Sequence, residues 1–549
     1  MKKLGLILMV WALILGTMQC KKNDESNKPE NDGESVFITL NVGGGTRAEV
    51  VPEDDIAPVY YAEGDMIHVV SDGKYIGTLT YNGSNFTGDI TNPTEGQPLH
   101  FYFLGNVTPN ETLVVGETST CSVVISDQTT SHPVISYAPS SQNYSVGTTN
   151  YTATLLNKCA LVKFNVTTVS ENATCTTGMN NKVTVDFETN EFDYSQEGDG
   201  VITLSTGGGE KWVILLPQDE VSQTEAHSAD GIYTGTCATI PAIAENDYQV
   251  NGITVAITHP MGAINGLFTI NANGDQVYFS QGNLQYQAST NTWRFAENQW
   301  NYVGGTDYYG NTYGNVGGSS NNNISPTYSG WIDLFGWGTS GWDCGNICYH
   351  PWDTNTNSKL YGPRGSNNLT GGYAHSDWGV HNTIYNGGNQ AGQWRTLTGG
   401  SSGEWYYVFV MRSTASGIRF AKAQIINTGN GVINGVIVFP DNWSTDTYSP
   451  NSYNQYDANC SSNPISVSQW NIMQAAGAVF LPHSGVREGP TGYVSGVDIL
   501  GNYWSASCDG ASDGARFMGF YCNEYGSSLY FKIDIRASAK SVRLVQDYY

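Results

Sequence analysis

The stretch Met66-Ile67-His68-Val69-Val70-Ser71-Asp72-Gly73-Lys74-Tyr75-Ile76-Gly77-Thr78-Leu79-Thr80-Tyr81-Asn82-Gly83 reads as strand, turn, strand, turn. β-Branched and aromatic residues fill Met66–Val70 and Tyr75–Tyr81. Each run ends at a turn-forming pair, Asp72-Gly73 or Asn82-Gly83. Alternating apolar residues closed by Asp-Gly or Asn-Gly form the strongest short-range hairpin signal, because both residues tolerate the positive φ that a tight hairpin turn demands.

The same grammar extends outward. Upstream, Ser35-Val36-Phe37-Ile38-Thr39-Leu40-Asn41-Val42 is stopped by Gly43-Gly44-Gly45. Downstream come Ala160–Val166, Lys182–Phe187 and Trp212–Pro217. No helical periodicity interrupts these runs up to about residue 257. Closely spaced strands with few helices predict β-sandwich modules. After a linker over 258–266 the character changes: Trp and Tyr become dense, and Gly and Asn fill long loops. Two helices are predicted there. One starts at the capping-box pattern Ser401-Ser402-Gly403-Glu404 and runs through Phe409, with Ser401 as the cap; the other runs from Val467 to Ala476 and is stopped by Gly477.

The chain has 549 residues, 13% of them charged, and a net charge of -25. That length calls for two to four domains. A surface of this sign repels phosphate backbones, so nucleic acid is excluded as a partner. There are 10 cysteines. Setting Cys20 aside leaves an odd number, and their spacing is not that of a small disulfide scaffold.

The first residues address the compartment. Lys2 and Lys3 precede the apolar run Leu4–Leu15, which is too short to span a bilayer and reads as a signal-peptide core. Thr17-Met18-Gln19-Cys20 then resembles a bacterial lipobox, with Cys20 as the lipidated first mature residue, although Gln19 is bulkier than the residue usual before that cysteine. The following Lys-Lys-Asn-Asp-Glu is similar to the signals that send Bacteroidetes lipoproteins to the outer face of the outer membrane. Residues 20–34 hold no apolar side chain beyond the anchor and are expected to be a flexible tether.

Two families resemble the rest. Tyr61-Ala62-Glu63-Gly64-Asp65, Leu156–Phe164, Ile214-Leu215-Leu216-Pro217-Gln218 and Asn246–Ile253 look like the fimbrillin-like (Mfa/FimA-type) lipoproteins. That resemblance implies two consecutive β-sandwiches, 35–140 and 141–257. Val277–Tyr286, Gln393-Trp394-Arg395-Thr396-Leu397, Gly477–Pro482, Gly501-Asn502-Tyr503-Trp504-Ser505 and Ser541–Val545 resemble the Fibrobacter succinogenes major paralogous domain. That family is similar to the C-type-lectin-like fold of formylglycine-generating enzymes. It implies an α+β domain over 267–549 whose terminal strands, Leu267–Ile270 and Ser541–Val545, pair. The expected fold class is therefore mainly β: a leader (1–19), the tether, two sandwiches, the linker and a C-terminal lectin-like domain.

Chemistry is sparse. Arg47, before Ala48 in a glycine-rich loop, is a candidate maturation cut; in fimbrillin-like proteins such a cut removes a strand and opens a groove for another subunit. Cys344, Cys348 and His350, with His375 and His381 downstream, lack the tighter spacing of structural zinc sites. Gly399-Gly400-Ser401-Ser402-Gly403 matches a hydrolase elbow with Asp441 and His483 following, but without the repeating βα architecture an elbow needs. Cys508 and Cys522 are too far apart to match the cysteine pair of formylglycine-type oxidases. No metal, cofactor or catalytic residue is expected. Trp293, Trp300, Trp331, Trp337, Trp342, Trp352 and Trp378 are expected mainly to pack irregular loops. The sequence reads as a non-enzymatic surface adhesin or fimbria-associated subunit, anchored in the outer membrane, with fimbrial subunits and a host or dietary glycan or protein as candidate partners. Glycan capture for polysaccharide uptake is the alternative, and a formylglycine-type oxidase a remote third.

Overall fold

The computed structural model describes residues 33–42, 49–50 and 59–548, apart from residues 131, 140–141, 170–173, 195–199, 223, 430, 490, 511–512 and 524–525. The leader, Cys20, Arg47 and Ala48 lie outside the described residues. The chain is mainly β. Among the described residues no helix is long and apolar enough to cross a membrane.

The quoted hairpin forms as its sequence dictates. Met66–Ser71 pairs antiparallel with Lys74–Tyr81, and Asp72 (φ 49°) and Gly73 (φ 66°) supply the left-handed turn. It lies within an eight-stranded sheet in the order Asn150–Ala153, Ser35–Val42, Phe86–Thr91, Lys74–Tyr81, Met66–Ser71, Leu99–Leu104, Ile135–Ala138, Leu156–Asn157. Alternate side chains from strands near both ends of this order, such as Tyr151, Ile38, Leu79, Phe101 and Ala138, meet in one core, so the sheet curls over itself.

A second eight-stranded sheet contains Ala160–Thr168 between Gly209–Leu215 and Tyr248–Pro260. The two sheets interleave in sequence. Thr120–Val124 pairs with Lys182–Asp186, and Asp127–Gln128 joins Val201–Thr206 before the chain returns to the first sheet at Ile135–Ala138. A shared core of Tyr102, Val123, Tyr137, Val185 and Leu216 packs between them.

From residue 262 onward the sheets are short and the connections long. Phe268–Thr269, Gln276–Phe279, Leu544–Asp547 and Arg395–Thr396 form one four-stranded sheet. The chain's last strand therefore pairs with Gln276–Phe279 and not with Phe268–Thr269, which sits one strand further out: the expected direct terminal pairing is displaced by an intervening hairpin. A second four-stranded sheet centres on Phe420–Ile426 and Ile433–Val438, and a meander runs through Leu500–Cys508, Gly514–Asn523 and Gly526–Ile535.

The helix Val467–Ala475 is capped by Ser466, whose hydroxyl accepts from Gln469 N at 3.2 Å, and Gly477 ends it at φ 94°. The earlier helical segment spans Glu404–Tyr406 and continues as a wider turn through Tyr407–Met411. Its cap is Gly403, not Ser401. The Glu404 carboxylate instead turns back to accept from Thr398 N at 2.7 Å and to pair with Arg395.

Candidate functional site: a tyrosine cleft

The candidate chemistry read from sequence does not assemble. Ser401 is exposed. The Asp441 carboxylate is held by Arg412, Thr269 and Gln276, and His483 is buried with Nδ1 against Asp498 O, so the three hydrolase-like residues serve unrelated contacts. Cys522 is bonded to Cys460, while Cys508 Sγ donates to Ser366 O; the two cysteines of the oxidase comparison are not partners. Cys344 and Cys348 are buried free thiols, and His350 stacks on Trp352 at 4.8 Å. Trp293, Trp300, Trp337 and Trp378 are core residues, and Trp331, Trp342 and Trp352 are half-buried.

The aromatic side chains that do reach solvent together are tyrosines. Tyr308 is 75% exposed, Tyr309 84%, Tyr313 38% and Tyr493 39%. They border a cleft of about 510 Å³ with Asp307 and Glu488 at its rim and Val497 and Ile499 in its apolar part. Large side chains exposed in a group and not singly are what distinguishes a contact surface from ordinary surface.

Two hairpins hold them. In the first, Gly305–Thr306 pairs with Thr312–Tyr313 across the loop Asp307-Tyr308-Tyr309-Gly310-Asn311. Asp307 folds this loop: its carboxylate accepts from Tyr309 N at 2.9 Å, Asn311 N at 2.8 Å and Asn311 Nδ2 at 3.0 Å. Those hydrogen bonds, Asn311's first, hold the carboxyl below its ordinary range, so it is charged at neutral pH. With its backbone fixed from within, the loop displays two adjacent tyrosines edge to face at 5.5 Å.

In the second, Val486–Arg487 pairs with Val494–Ser495. The intervening turn closes through Glu488 N to Tyr493 O at 2.9 Å and Gly492 N to Glu488 O at 3.0 Å, which puts Tyr493 against Tyr308, ring centroids 5.7 Å apart and nearly perpendicular. Asn322 joins the hairpins: its Nδ2 donates to Thr306 O and to Gly492 O, both at 2.9 Å. A Cβ at Gly305 would come within 2.5 Å of Val494 Cγ2, so only glycine lets the two walls approach this closely.

Among the described residues, no lysine, arginine or histidine lines the cleft. It offers flat apolar ring faces, phenolic hydroxyls and carboxylate acceptors, and no group that would favour an anion. Sequence reasoning missed it because the walls lie some 180 positions apart. Its one local sign is the Asp-Tyr-Tyr-Gly-Asn turn.

Comparisons with known proteins give only distant structural likeness. No protein-family model and no curated protein matches the chain. A fimbrial protein from Bacteroides ovatus aligns over 93% of this chain and 99% of its own at 12% identity and a TM-score of 0.23. A Bacteroides uniformis protein named for cell adhesion aligns over 41% of this chain and 94% of its own, at 11% identity and a TM-score of 0.28. The fimbrial anchor protein Mfa2 from Porphyromonas gingivalis aligns over 35% and 77%, at 14% identity and a TM-score of 0.21. Scores this low establish no shared whole-chain architecture.

Proposed function

We propose that the chain is a cell-surface adhesin whose C-terminal region binds a neutral carbohydrate in the tyrosine cleft. The observation that carries this reading is the clustering of Tyr308, Tyr309, Tyr313 and Tyr493 around one polar-rimmed cavity. A sugar ring presents an apolar C–H face and a belt of hydroxyls. The first packs on an aromatic face, and the second hydrogen-bonds to phenols and carboxylates such as Glu488. Asp307 and Glu488, within a chain of net charge -25, disfavour uronic, sialylated or sulfated ligands.

Lipidation at Cys20 and a flexible tether over 20–34 would hold the β-rich region outside the outer membrane, with the interleaved sheets between residues 35 and 257, which share strands across the expected 140/141 boundary, raising a lectin-like domain over 267–549. This organisation belongs to the proposal. It serves an adhesin and a glycan-capture module for uptake equally.

The test is binding of the purified chain to an array of neutral and acidic oligosaccharides. Binding to neutral glycans, weakened at least about tenfold (~1.4 kcal/mol) by Tyr308→Ala with Tyr493→Ala, supports the reading. Unchanged binding in that variant overturns it.

Fimbrial association is a second reading, favoured by one feature. Among the described residues, Asn150–Ala153 is an outer strand of the first sheet, paired with Ser35–Val42 alone, and a cavity lined by Asn41, Thr152 and Leu156 lies beside it. An unpaired strand edge can accept a strand from another subunit. Recovery of fimbrial subunits crosslinked to this edge would support it; a chain that crosslinks to none would not.

A further inference from the structure

Beside the Val497–Ile499 wall of the tyrosine cleft, whose Ile499 carbonyl accepts from Cys522 N at 3.1 Å, three side chains that no linear motif joins converge in the core of the C-terminal region. Cys460 opens the single turn Cys460–Ser462, Cys522 lies in the strand Gly514–Asn523, and His483 directly follows the strand Val479–Pro482. The two cysteines, 62 residues apart in sequence, form a disulfide with Cα atoms 6.2 Å apart. One ring nitrogen of His483 and both sulfurs lie within 4.8 Å of one another, and all three residues are buried.

The histidine has no evident structural task for its second nitrogen. Nδ1 sits 3.2 Å from the carbonyl oxygen of Asp498, to which it donates as the protonated tautomer nitrogen. That leaves Nε2 as a bare lone pair, and it has no hydrogen-bond partner although the residue is wholly buried. Leaving an acceptor buried and unpaired is unfavourable, and a core position with no polar demand would take a phenylalanine. A ring that donates one N–H to a backbone carbonyl and holds the other nitrogen free is the arrangement metal-ligating histidines adopt.

One buried lysine reaches the pair through a hydroxyl. Lys422, 1% exposed, donates from Nζ to Ser527 Oγ at 2.6 Å, and that hydroxyl lies 3.2 Å from Cys522 Sγ. Burial pushes the Lys422 ammonium down to about 7, so at neutral pH it carries only part of a positive charge beside that sulfur.

We propose that Cys460, Cys522 and His483 form a redox-gated site for a thiophilic divalent cation, zinc by its ligand set: closed while the disulfide stands, opened by a dithiol reductant. The dithiol supplies two electrons and two protons. Its own disulfide forms as the Cys460–Cys522 bond breaks into two thiols. On binding Zn²⁺ both thiols release their protons to solvent, and His483 Nε2 adds the third ligand. Ser527 Oγ, 3.2 Å from Cys522 Sγ, is an oxygen placed to complete the fourth position. Zinc–sulfur bonds of about 2.3 Å in tetrahedral geometry part the sulfurs to about 3.8 Å. Cys460, which opens a one-turn helix at the end of a long irregular connection, can supply that movement while Cys522 stays fixed in its strand.

The experiment uses the full chain, purified oxidised and then reduced with dithiothreitol under anaerobic conditions, with zinc per chain measured after gel filtration. A Cys344→Ser/Cys348→Ser background removes a second pair of thiols that could take zinc. One equivalent bound only after reduction, with affinity reduced at least about tenfold by His483→Gln, is expected. Equal uptake by oxidised and reduced protein, no uptake after reduction, or unchanged affinity in His483→Gln overturns the proposal. Should His483→Gln fail to fold, X-ray absorption on the reduced zinc-bound chain decides. Two sulfur ligands and a histidine nitrogen sustain the proposal, and any other ligand set overturns it.

Discussion

Arg412 Nη1 donates to Asp441 Oδ1 across 2.7 Å in a core where the arginine side chain has no exposed surface. The rest of the guanidinium donates to backbone carbonyls: Nε to Val408 O at 2.7 Å, and Nη2 to Arg419 O and Phe439 O. The other Asp441 oxygen accepts from Thr269 N at 2.8 Å and from Gln276 Nε2 at 3.0 Å. One ion pair therefore ties the wide helical turn, the strand ending at Val438 and the first hairpin of the C-terminal region together.

Removing Arg412 should cost far more than removing a surface charge. Arg412→Met leaves Asp441 without its counter-ion and strands carbonyls that the guanidinium satisfied. A loss of about 3–5 kcal/mol is expected. By contrast Lys74→Ala, which breaks the exposed pair with Glu188, should change stability by less than about 1 kcal/mol. Urea unfolding of the two variants, followed by tryptophan fluorescence, measures the difference.

His68 predicts an acid limb for the first sheet. The ring is 7% exposed, its Nδ1 is 3.0 Å from Thr78 Oγ1, and burial pushes its pKa down to about 4. Between pH 6.5 and about 4 the unfolded chain binds a proton that the folded chain refuses, so this group's contribution is present above that window and is lost as pH falls through it. The full effect is about 3 kcal/mol. His68→Gln should unfold with a shallower pH dependence than wild type between pH 4 and 6.5; parallel curves would contradict this.

Asn322 should matter to binding as well as to folding. It bridges Thr306 O and Gly492 O, the two hairpins that carry the tyrosines, and is itself half-buried. Asn322→Ala is expected to destabilise by about 1–3 kcal/mol while releasing the walls from each other. A glycan bound by Tyr308 and Tyr493 together should then lose affinity at least about tenfold, with the fold retained by circular dichroism.

How far the sequence could be read depended on how local each feature is. The hairpin at Asp72-Gly73 and the helix stopped by Gly477 were legible because turn chemistry and apolar period are written in adjacent residues. Strand order was not: nothing within Thr120–Val124 shows that it leaves the first sheet for Lys182–Asp186. Ser401 matched a capping pattern, yet Glu404 was drawn by Arg395 and Thr398, and the cap moved to Gly403. The tryptophan-rich loops were correctly expected to be mostly packing. The exposed tyrosines escaped notice because exposure is a property of the folded surface, and their cleft joins a hairpin near residue 309 to one near residue 490. Cys460, His483 and Cys522 were hidden for the same reason.

As proposed, this chain stands on the cell surface and holds a neutral sugar between its tyrosines. The most direct measurement is adhesion of intact cells to a surface coated with a neutral glycan, comparing wild type with Tyr308→Ala/Tyr493→Ala at equal antibody-measured display. Wild-type cells should adhere, the variant should not, and a soluble form of the glycan should release the wild type. Equal adhesion by both, or an antigen that antibody cannot reach on unbroken cells, would contradict the account.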